Sequence, residues 1–189
     1  MSEICVAMAD KKKQEKLNKI LSDLNSNEAK RISKAVKALE SHGNSSVIKP
    51  LALRLLEDIP EKNKSEIVEL FCSLKDTSTC VEIMNLVGDE NFSSIRQLLL
   101  STIWNTKIDY SDYLDDFVEI ATKGNLLEAI DCLTIIETLE GPFMEESVLE
   151  SQLHLKNYME SNETKDDKRA YILSEIALKI KEINSQLMD

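Results

Sequence analysis

Glycine and proline are scarce in this chain of 189 residues, which contains only 4 Gly and 3 Pro. Average usage at this length would give roughly 13 and 9. A β-sandwich, barrel or propeller needs a turn signal about every 8–12 residues, so this scarcity excludes those folds. Hydrophobic residues still make up 42% and charged residues 30% of the chain, which is enough for a packed core. The composition therefore predicts an all-α protein.

Long apolar runs are also missing. No window of about 18 apolar residues occurs, so we expect no membrane span. The apolar stretch before the N-terminal lysines is too short for the core of a signal peptide. Reduced thiols and a cytoplasmic location are expected, because the four cysteines form no CxxC pair and no disulfide framework; they are Cys5, Cys72, Cys80 and Cys132.

Motifs of catalysis are absent as well. The sequence contains no GxSxG, no GxxxxGK[ST] and no GxGxxG, so it has neither a nucleophile elbow nor a phosphate-binding loop. The only two histidines, His42 and His154, have no cysteine or carboxylate partner at ligand spacing. We therefore predict a protein that is not an enzyme and needs no metal or cofactor. A catalytic pair assembled by folding is the alternative that motifs leave open.

Apolar residues recur with the period of an α-helix along the whole chain, and glycine and proline fall mainly between these segments. Gly43, for example, has the position of a C′ residue that ends a helix. Pro50 is close enough to a first helical turn to be tolerated there. The periodicity predicts ten helices, at 10–24, 27–41, 45–58, 64–75, 79–87, 92–105, 111–123, 125–140, 143–160 and 168–187.

Helices this short and amphipathic cannot bury their apolar stripes in isolated pairs, so they must stack. The first helices of successive pairs begin near 27, 64, 92, 125 and 168, and similar apolar patterns recur in them. The stretch FSSIRQLLL (92–100) resembles the first helix of a HEAT-like or armadillo-like repeat, in which an apolar residue followed by Arg opens the helix. Asp112 to Gly124 is similar to the second helix of that family.

The resemblance implies a HEAT-like domain over residues 27–189, built as a right-handed α-solenoid of about four to five antiparallel helix pairs. Residues 1–26 would form a basic N-terminal segment and a capping helix. The proline expected early in the first helix is missing from every repeat, and the spacing is irregular. An irregular bundle of the same helices is therefore the alternative fold.

Charge is distributed unevenly along the chain, whose formal net charge is −11. Residues 1–64 carry a net +4, residues 65–162 a net −14 and residues 163–189 a net −1. A surface this acidic repels phosphate backbones, so nucleic acid is a less favoured partner. Lys11 to Lys13 and Lys16 form the one local basic cluster, near the N-terminus. This segment either contacts an anionic surface or is part of a helix that only caps the stack.

The acids of the middle segment concentrate on the second helices of the pairs, which the resemblance places on the concave surface of a solenoid. We predict that this face docks a basic segment of another protein, and that the chain is a non-catalytic scaffold or adaptor. The alternatives are a regulatory subunit of an enzyme, a HEAT-like enzyme with its site on the same face, or a merely solvated surface. The candidate partner-binding residues are Asp112, Tyr113, Asp115, Asp116, Glu119, Glu145, Glu146 and Glu150.

Aromatic residues flank this acidic run, and Tyr and Trp are common anchors of interfaces. Tyr110 and Tyr113 support the docking face, but each of the three aromatic residues is also a plausible residue at the edge of the core, and that interpretation is favoured for Trp104. In the last helix, Ile176, Ile180, Ile183 and Leu187 have nearly a heptad spacing. That helix is expected either to cap the stack or to pair with a helix of a partner.

Overall fold

The computed structural model describes residues 3–42, 44–161 and 167–187, and these residues form ten α-helices without a strand. The predicted all-α class and the ten predicted helices are confirmed. The helices are α1 (Glu3–Leu24), α2 (Ala29–His42), α3 (Ile48–Leu55), α4 (Glu61–Cys72), α5 (Thr79–Gly88), α6 (Ser93–Ile103), α7 (Leu114–Lys123), α8 (Leu126–Thr138), α9 (Glu145–Glu160) and α10 (Asp167–Leu187).

The starts of several helices differ from prediction because a short 3-10 turn precedes the α-helix. Such turns cover Ser45–Val47, Glu90–Phe92 and Ser111–Tyr113. At the first of them the capping residue is Asn44, whose side chain accepts a hydrogen bond from the backbone N–H of Ser46 at 3.1 Å. Pro50 lies in the first turn of α3, as expected. Gly43 lies outside the described residues.

Alternate helices along the chain pack on one another, which arranges them in two rows. In one row α2 packs on α4, α4 on α6, α6 on α8, and α8 on α10. In the other row α3 packs on α5, and α7 packs on α9. Contacts of α3 with α4, α5 with α6, α7 with α8 and α9 with α10 join the rows, while α1 covers α2 and α3 at the N-terminal end.

Tyr110 fills the space between α5 and α7 in the second row. Its side chain is buried, with 1% exposure, and its ring meets the ring of Phe117 of α7 edge-on at 6.3 Å between centroids. Its phenol also adjoins Cys80 of α5, and burial together with this thiol raises the pKa of Tyr110 far above its usual range. An aromatic side chain from a loop therefore supplies packing between two helices of the row.

One continuous hydrophobic core runs from Ile20 to Ile183. The stripe predicted for α2 is buried, as are Ile176, Ile180 and Ile183 of α10, which therefore face the rest of the chain. For α9 the helical periodicity predicts an apolar stripe of Val148, Leu149, Leu153 and Leu155, which is wrong in part: Val148 and Leu155 are buried, whereas Leu149 and Leu153 are exposed. Ile130 of α8 and Leu187 of α10, which belong to apolar patterns with helical spacing, are exposed too.

Buried or half-buried polar side chains fasten the ends of helices to their neighbours. Arg54 of α3 donates to the carbonyl of Ser26 at 2.8 Å, and Asn63 of α4 donates to the carbonyl of Ala29 at 3.1 Å. Arg96 of α6 donates to the carbonyl of Val87 at 2.8 Å, in the last turn of α5. The bond to Val87 satisfies a carbonyl in the last turn of a helix, where no intrahelical donor is available. Among the described helices, none combines the length and apolar character needed to cross a bilayer.

Gly124 ends α7 at a point where the backbone leaves no room for a side chain. A Cβ atom there would lie 2.8 Å from the carbonyl oxygen of Ile120 and 2.5 Å from a carboxylate oxygen of Glu128. The Glu128 carboxylate is held in place because it accepts from the backbone N–H of Asn125 at 2.7 Å, completing a capping box at the start of α8. Gly124 is thus required by close approach of other atoms, and its backbone is extended.

Replacement of Gly124 by alanine is expected to destabilise the fold by about 1–3 kcal/mol, because the new methyl group overpacks the α7–α8 junction. Chemical denaturation followed by far-UV circular dichroism measures the change. Gly88→Ala is the matched control, since a Cβ atom at Gly88 meets nothing within 4 Å. Gly88 ends α5, so the control should be neutral or stabilising by up to about 1 kcal/mol. Equal effects of the two substitutions would contradict the packing argument.

Candidate functional site

Helix α7 separates apolar and acidic residues onto opposite sides. Leu114, Phe117, Val118 and Ala121 are fully buried. The opposite side carries Asp116 and Glu119, preceded by Asp112 in the 3-10 turn. Residues 112, 116 and 119 are neighbours on a helical surface because they are separated by three or four positions. The sequence therefore predicted the orientation of this helix correctly.

The predicted site residues of α7 differ in exposure. Asp112 and Asp116 are exposed, whereas Tyr113, Asp115 and Glu119 are half-buried. Glu119 accepts a hydrogen bond from Lys123 one turn later, at 2.5 Å. Asp115 accepts a hydrogen bond from the hydroxyl of Ser147 in α9. Asp115 is thus engaged between two helices, while Asp112 and Asp116 are presented to solvent.

On α9, the predicted residues Glu145, Glu146 and Glu150 are all exposed. Glu146, Glu150 and His154 follow one another at intervals of four and therefore share one side of the helix. His154 lies close enough to Asp116 and Glu119 to affect both electrostatically, so this side of α9 adjoins the acids of α7. Glu145 is one turn before Leu149 and lies on a different side. We call Asp112, Asp116, Glu119, Glu146 and Glu150 the α7–α9 acidic face.

Repulsion between like charges acts within this face. Partial desolvation, together with the charges of Asp115 and Glu119, raises the pKa of Asp116 above its usual value. The hydrogen bond from Lys123 instead lowers the pKa of Glu119. Burial, the Cys80 thiol and the nearby aspartates raise the pKa of the Tyr113 phenol. Lys123 thus stabilises the ionised form of Glu119, whereas partial burial and the neighbouring carboxylates destabilise the ionised form of Asp116.

Hydrogen bonds fix the chain on both sides of α7, which carries part of the acidic face. The hydroxyl of Ser111 donates to the carboxylate of Asp109 at 2.6 Å and accepts from the backbone N–H of Gly141 at 2.9 Å. Arg169 of α10 donates to the carbonyls of Ala121 and Thr122 in the last turn of α7, with the Ala121 bond at 3.4 Å. A cation is favourable at this end of a helix because of the helix dipole.

The flanking aromatic residues have other positions than expected. Tyr110 does not serve the docking face, because it is buried between α5 and α7. Tyr113 is half-buried beside it, with 6.1 Å between the two ring centroids. Trp104, expected at the edge of the core, is 41% exposed and lines a surface cavity of about 370 Å³ with Lys107 and Glu140.

Three contributors to the face were not identified from the sequence: Ser147, His154 and Arg169. Ser147 and Arg169 act across 32 and about 48 residues of chain, respectively. No local pattern predicts such contacts. Within the described parts of the chain, no three His, Cys, Asp or Glu side chains come together as a metal-binding group.

Comparison with protein-family models, with curated proteins and with solved structures gives no match to this chain. The likeness to HEAT-like repeats therefore stays a resemblance carried by the sequence.

Neutralising Asp116 and Glu119 should change stability in opposite directions. A raised pKa in the folded state stabilises below the usual aspartate pKa, near 3.9, and this stabilisation is lost as the pH rises through the folded value. Asp116→Asn should therefore raise the melting temperature at pH 7, with the gain disappearing below about pH 3.9. Glu119→Gln should lower the melting temperature at pH 7, because a depressed pKa stabilises only above the unfolded value.

Differential scanning calorimetry of both variants between about pH 3 and pH 8 measures these effects. The two substitutions serve as controls for each other, since both remove one negative charge from α7. Shifts of the same sign at pH 7 would show that net charge, and not the local pairing of each carboxylate, controls the stability of this helix.

Proposed function

We propose that this protein is a non-catalytic scaffold or adaptor, and that its α7–α9 acidic face docks a basic segment of another protein. We also propose that the two rows of helices are a HEAT-like stack. Each of α3, α5, α7 and α9 packs more extensively on the helix that follows it than on the helix before it, so the pairs that stack are α3 with α4, α5 with α6, α7 with α8 and α9 with α10. The acidic face then lies on α7 and α9, helices of the same row in two neighbouring pairs.

The observation that carries the proposal is the accumulation of carboxylates around Asp116 without enough cations to neutralise them. Lys123 pairs with Glu119, whereas the charges of Asp115 and Glu119 destabilise the ionised form of Asp116. A cation brought by a partner would relieve this repulsion and gain two or more favourable pairings. Charged groups placed in this way favour complementary partners and accelerate their association.

The spacing of the acids fits a segment of chain better than a single ion. Glu146 and Glu150 are exposed one turn apart on α9, and Asp112, Asp116 and Glu119 extend over about two turns, from the 3-10 turn before α7 into α7 itself. One turn of α-helix rises about 5.4 Å, so the acids are distributed along both helices. Lysine or arginine side chains of an extended or helical segment reach such positions in succession.

A fluorescent peptide with six lysines separated by alanines tests the proposal by anisotropy. The variant Asp112→Asn, Asp116→Asn, Glu119→Gln should raise its dissociation constant at least about 10-fold, because about 1.4 kcal/mol of charge interaction is lost. The matched control is Asp58→Asn, Glu69→Gln, Glu137→Gln, which neutralises three exposed acids elsewhere. The control should change the constant by no more than about 2-fold.

Equal weakening by both triple variants would mean that the peptide responds only to net charge, and the proposed face would be wrong. Unchanged binding by the first variant would contradict it as well. Circular dichroism must show the same helicity for all three proteins, so that loss of binding is not loss of folding. A single-stranded oligonucleotide used in place of the peptide should not bind at the same salt concentration, because the face repels phosphates.

A further inference from the structure

Two leucines are exposed on the outer side of α9. Leu149 is 54% and Leu153 is 46% exposed. They are four positions apart, so their side chains lie one above the other along the helix. The buried side of α9 carries Val148, Ser151 and Leu155, and the two leucines face away from it. We call Leu149 and Leu153 the α9 leucine pair.

The charged residues around this pair are mostly acidic. On a helix, the neighbours of a side chain are the residues three and four positions away. The charged neighbours of the two leucines, all of them exposed, are Glu145, Glu146, Glu150 and Lys156. The one lysine among them is already engaged, since its ammonium group lies 3.9 Å from the carboxylate of Glu160. The leucine pair is thus a small apolar patch within a surface of net negative charge.

The leucine pair also borders the α7–α9 acidic face. Glu146 and Glu150 belong to that face, and each of them lies three positions before one of the leucines. On their other side His154 acts electrostatically on Asp116 of α7, so the acidic surface continues from α9 to α7. A segment that covers the leucines therefore also meets carboxylates of the acidic face.

This combination of groups selects the chemistry of its occupant. Exposed leucine side chains favour an apolar cover, and carboxylates beside a contact favour cations opposite them. Nucleic acid and anionic lipid surfaces are repelled by the same carboxylates. A second copy of α9 is unfavourable as well, because three of the four charged neighbours of the pair are acidic and would oppose the same residues of the other copy.

We propose that the occupant is a basic amphipathic helix of another protein, an inference that rests on the function proposed for the α7–α9 acidic face. The apolar side of this helix covers the α9 leucine pair. Its lysine or arginine side chains oppose Glu145 on one side of the pair, and Glu146 and Glu150 on the other. Helices that pack along an apolar seam carry charges beside that seam, and opposite charges there determine partner and orientation.

The carboxylates on both sides of the pair favour a helix over an extended segment. In an extended chain successive side chains point to opposite faces, so the residues next to the apolar ones point away from α9. In a helix the residues beside an apolar stripe are directed to its two flanks. Basic residues of a helix therefore reach the acids on either side while the stripe covers the leucines.

Two fluorescent peptides of about five helical turns test the inference by anisotropy. Both contain the same numbers of leucines, lysines and alanines. In the first peptide the leucines form one helical side with lysines on both flanks, and in the second they are spread around the helix. The wild-type chain should bind the first peptide at least about 10-fold more tightly. The variant Leu149→Ser, Leu153→Ser should bind the two peptides within about 2-fold of each other, because the apolar contact is lost.

The matched control is Leu53→Ser, Val81→Ser, which changes two exposed apolar side chains elsewhere. It should keep the preference for the first peptide. Both double variants must retain the helicity of the wild-type chain in circular dichroism. A wild-type chain that binds the two peptides equally overturns the inference. So does a preference that survives Leu149→Ser, Leu153→Ser, or one that the control also loses.

Failure of this inference is distinguishable from failure of the proposed function, because the two peptides carry the same charge. The variant Asp112→Asn, Asp116→Asn, Glu119→Gln should weaken the binding of both. If it does so while the wild-type chain shows no preference, the acidic face stands and only the amphipathic helix is wrong. Unchanged binding of both peptides by this variant overturns the proposed function and the inference with it.

Sedimentation velocity of the wild-type chain and flotation with vesicles of anionic phospholipid examine the other occupants. The chain should remain monomeric and should not float with the vesicles. A dimer that Leu149→Ser, Leu153→Ser dissociates would identify a second copy as the occupant and overturn the inference. Vesicle binding that the same variant abolishes would overturn it in favour of a lipid surface.

Discussion

The structure depends on one constraint: short helices with a single apolar stripe cannot bury that stripe alone. Except between α5 and α7, each helix packs on the next but one along the chain, and α3, α5, α7 and α9 also pack on the following helix in the other row. Burial of an apolar side chain contributes about 1.5–3 kcal/mol, so a continuous core from Ile20 to Ile183 is the main favourable term. Several local features of the molecule follow from how completely each helix is covered by its neighbours.

Interruptions of the stacking are filled by particular side chains. The loop residue Tyr110 packs between α5 and α7, and Gly124 allows α8 to begin so close to the end of α7 that a methyl group would not fit. Arg169 closes the other side of α7 by bonding to its last carbonyls. Because α7 is held at both ends, the acids on its outer side are presented from a fixed helix.

The existence of the helices was predictable because the signal is local: apolar residues three and four positions apart define a stripe wherever they occur. The face that is buried was less predictable. Leu149 and Leu153 of α9 belong to as regular a pattern as Val148 and Leu155, and only the positions of α7 and α10 decide which pair is covered. Asp115 was likewise predicted as a site residue, but its hydrogen bond with Ser147 depends on another helix, whose contacting residue lies 32 positions later in the sequence.

The α7–α9 acidic face follows from the same packing. An inner helix of a stack has one side left for solvent, and on α7 and the turn before it that side carries Asp112, Asp116 and Glu119. On α9 the uncovered side carries Glu146 and Glu150 next to the exposed Leu149 and Leu153. Because these helices bury their other sides in the core, their outer carboxylates are held at fixed backbone positions, and a partner would lose less conformational entropy in ordering them.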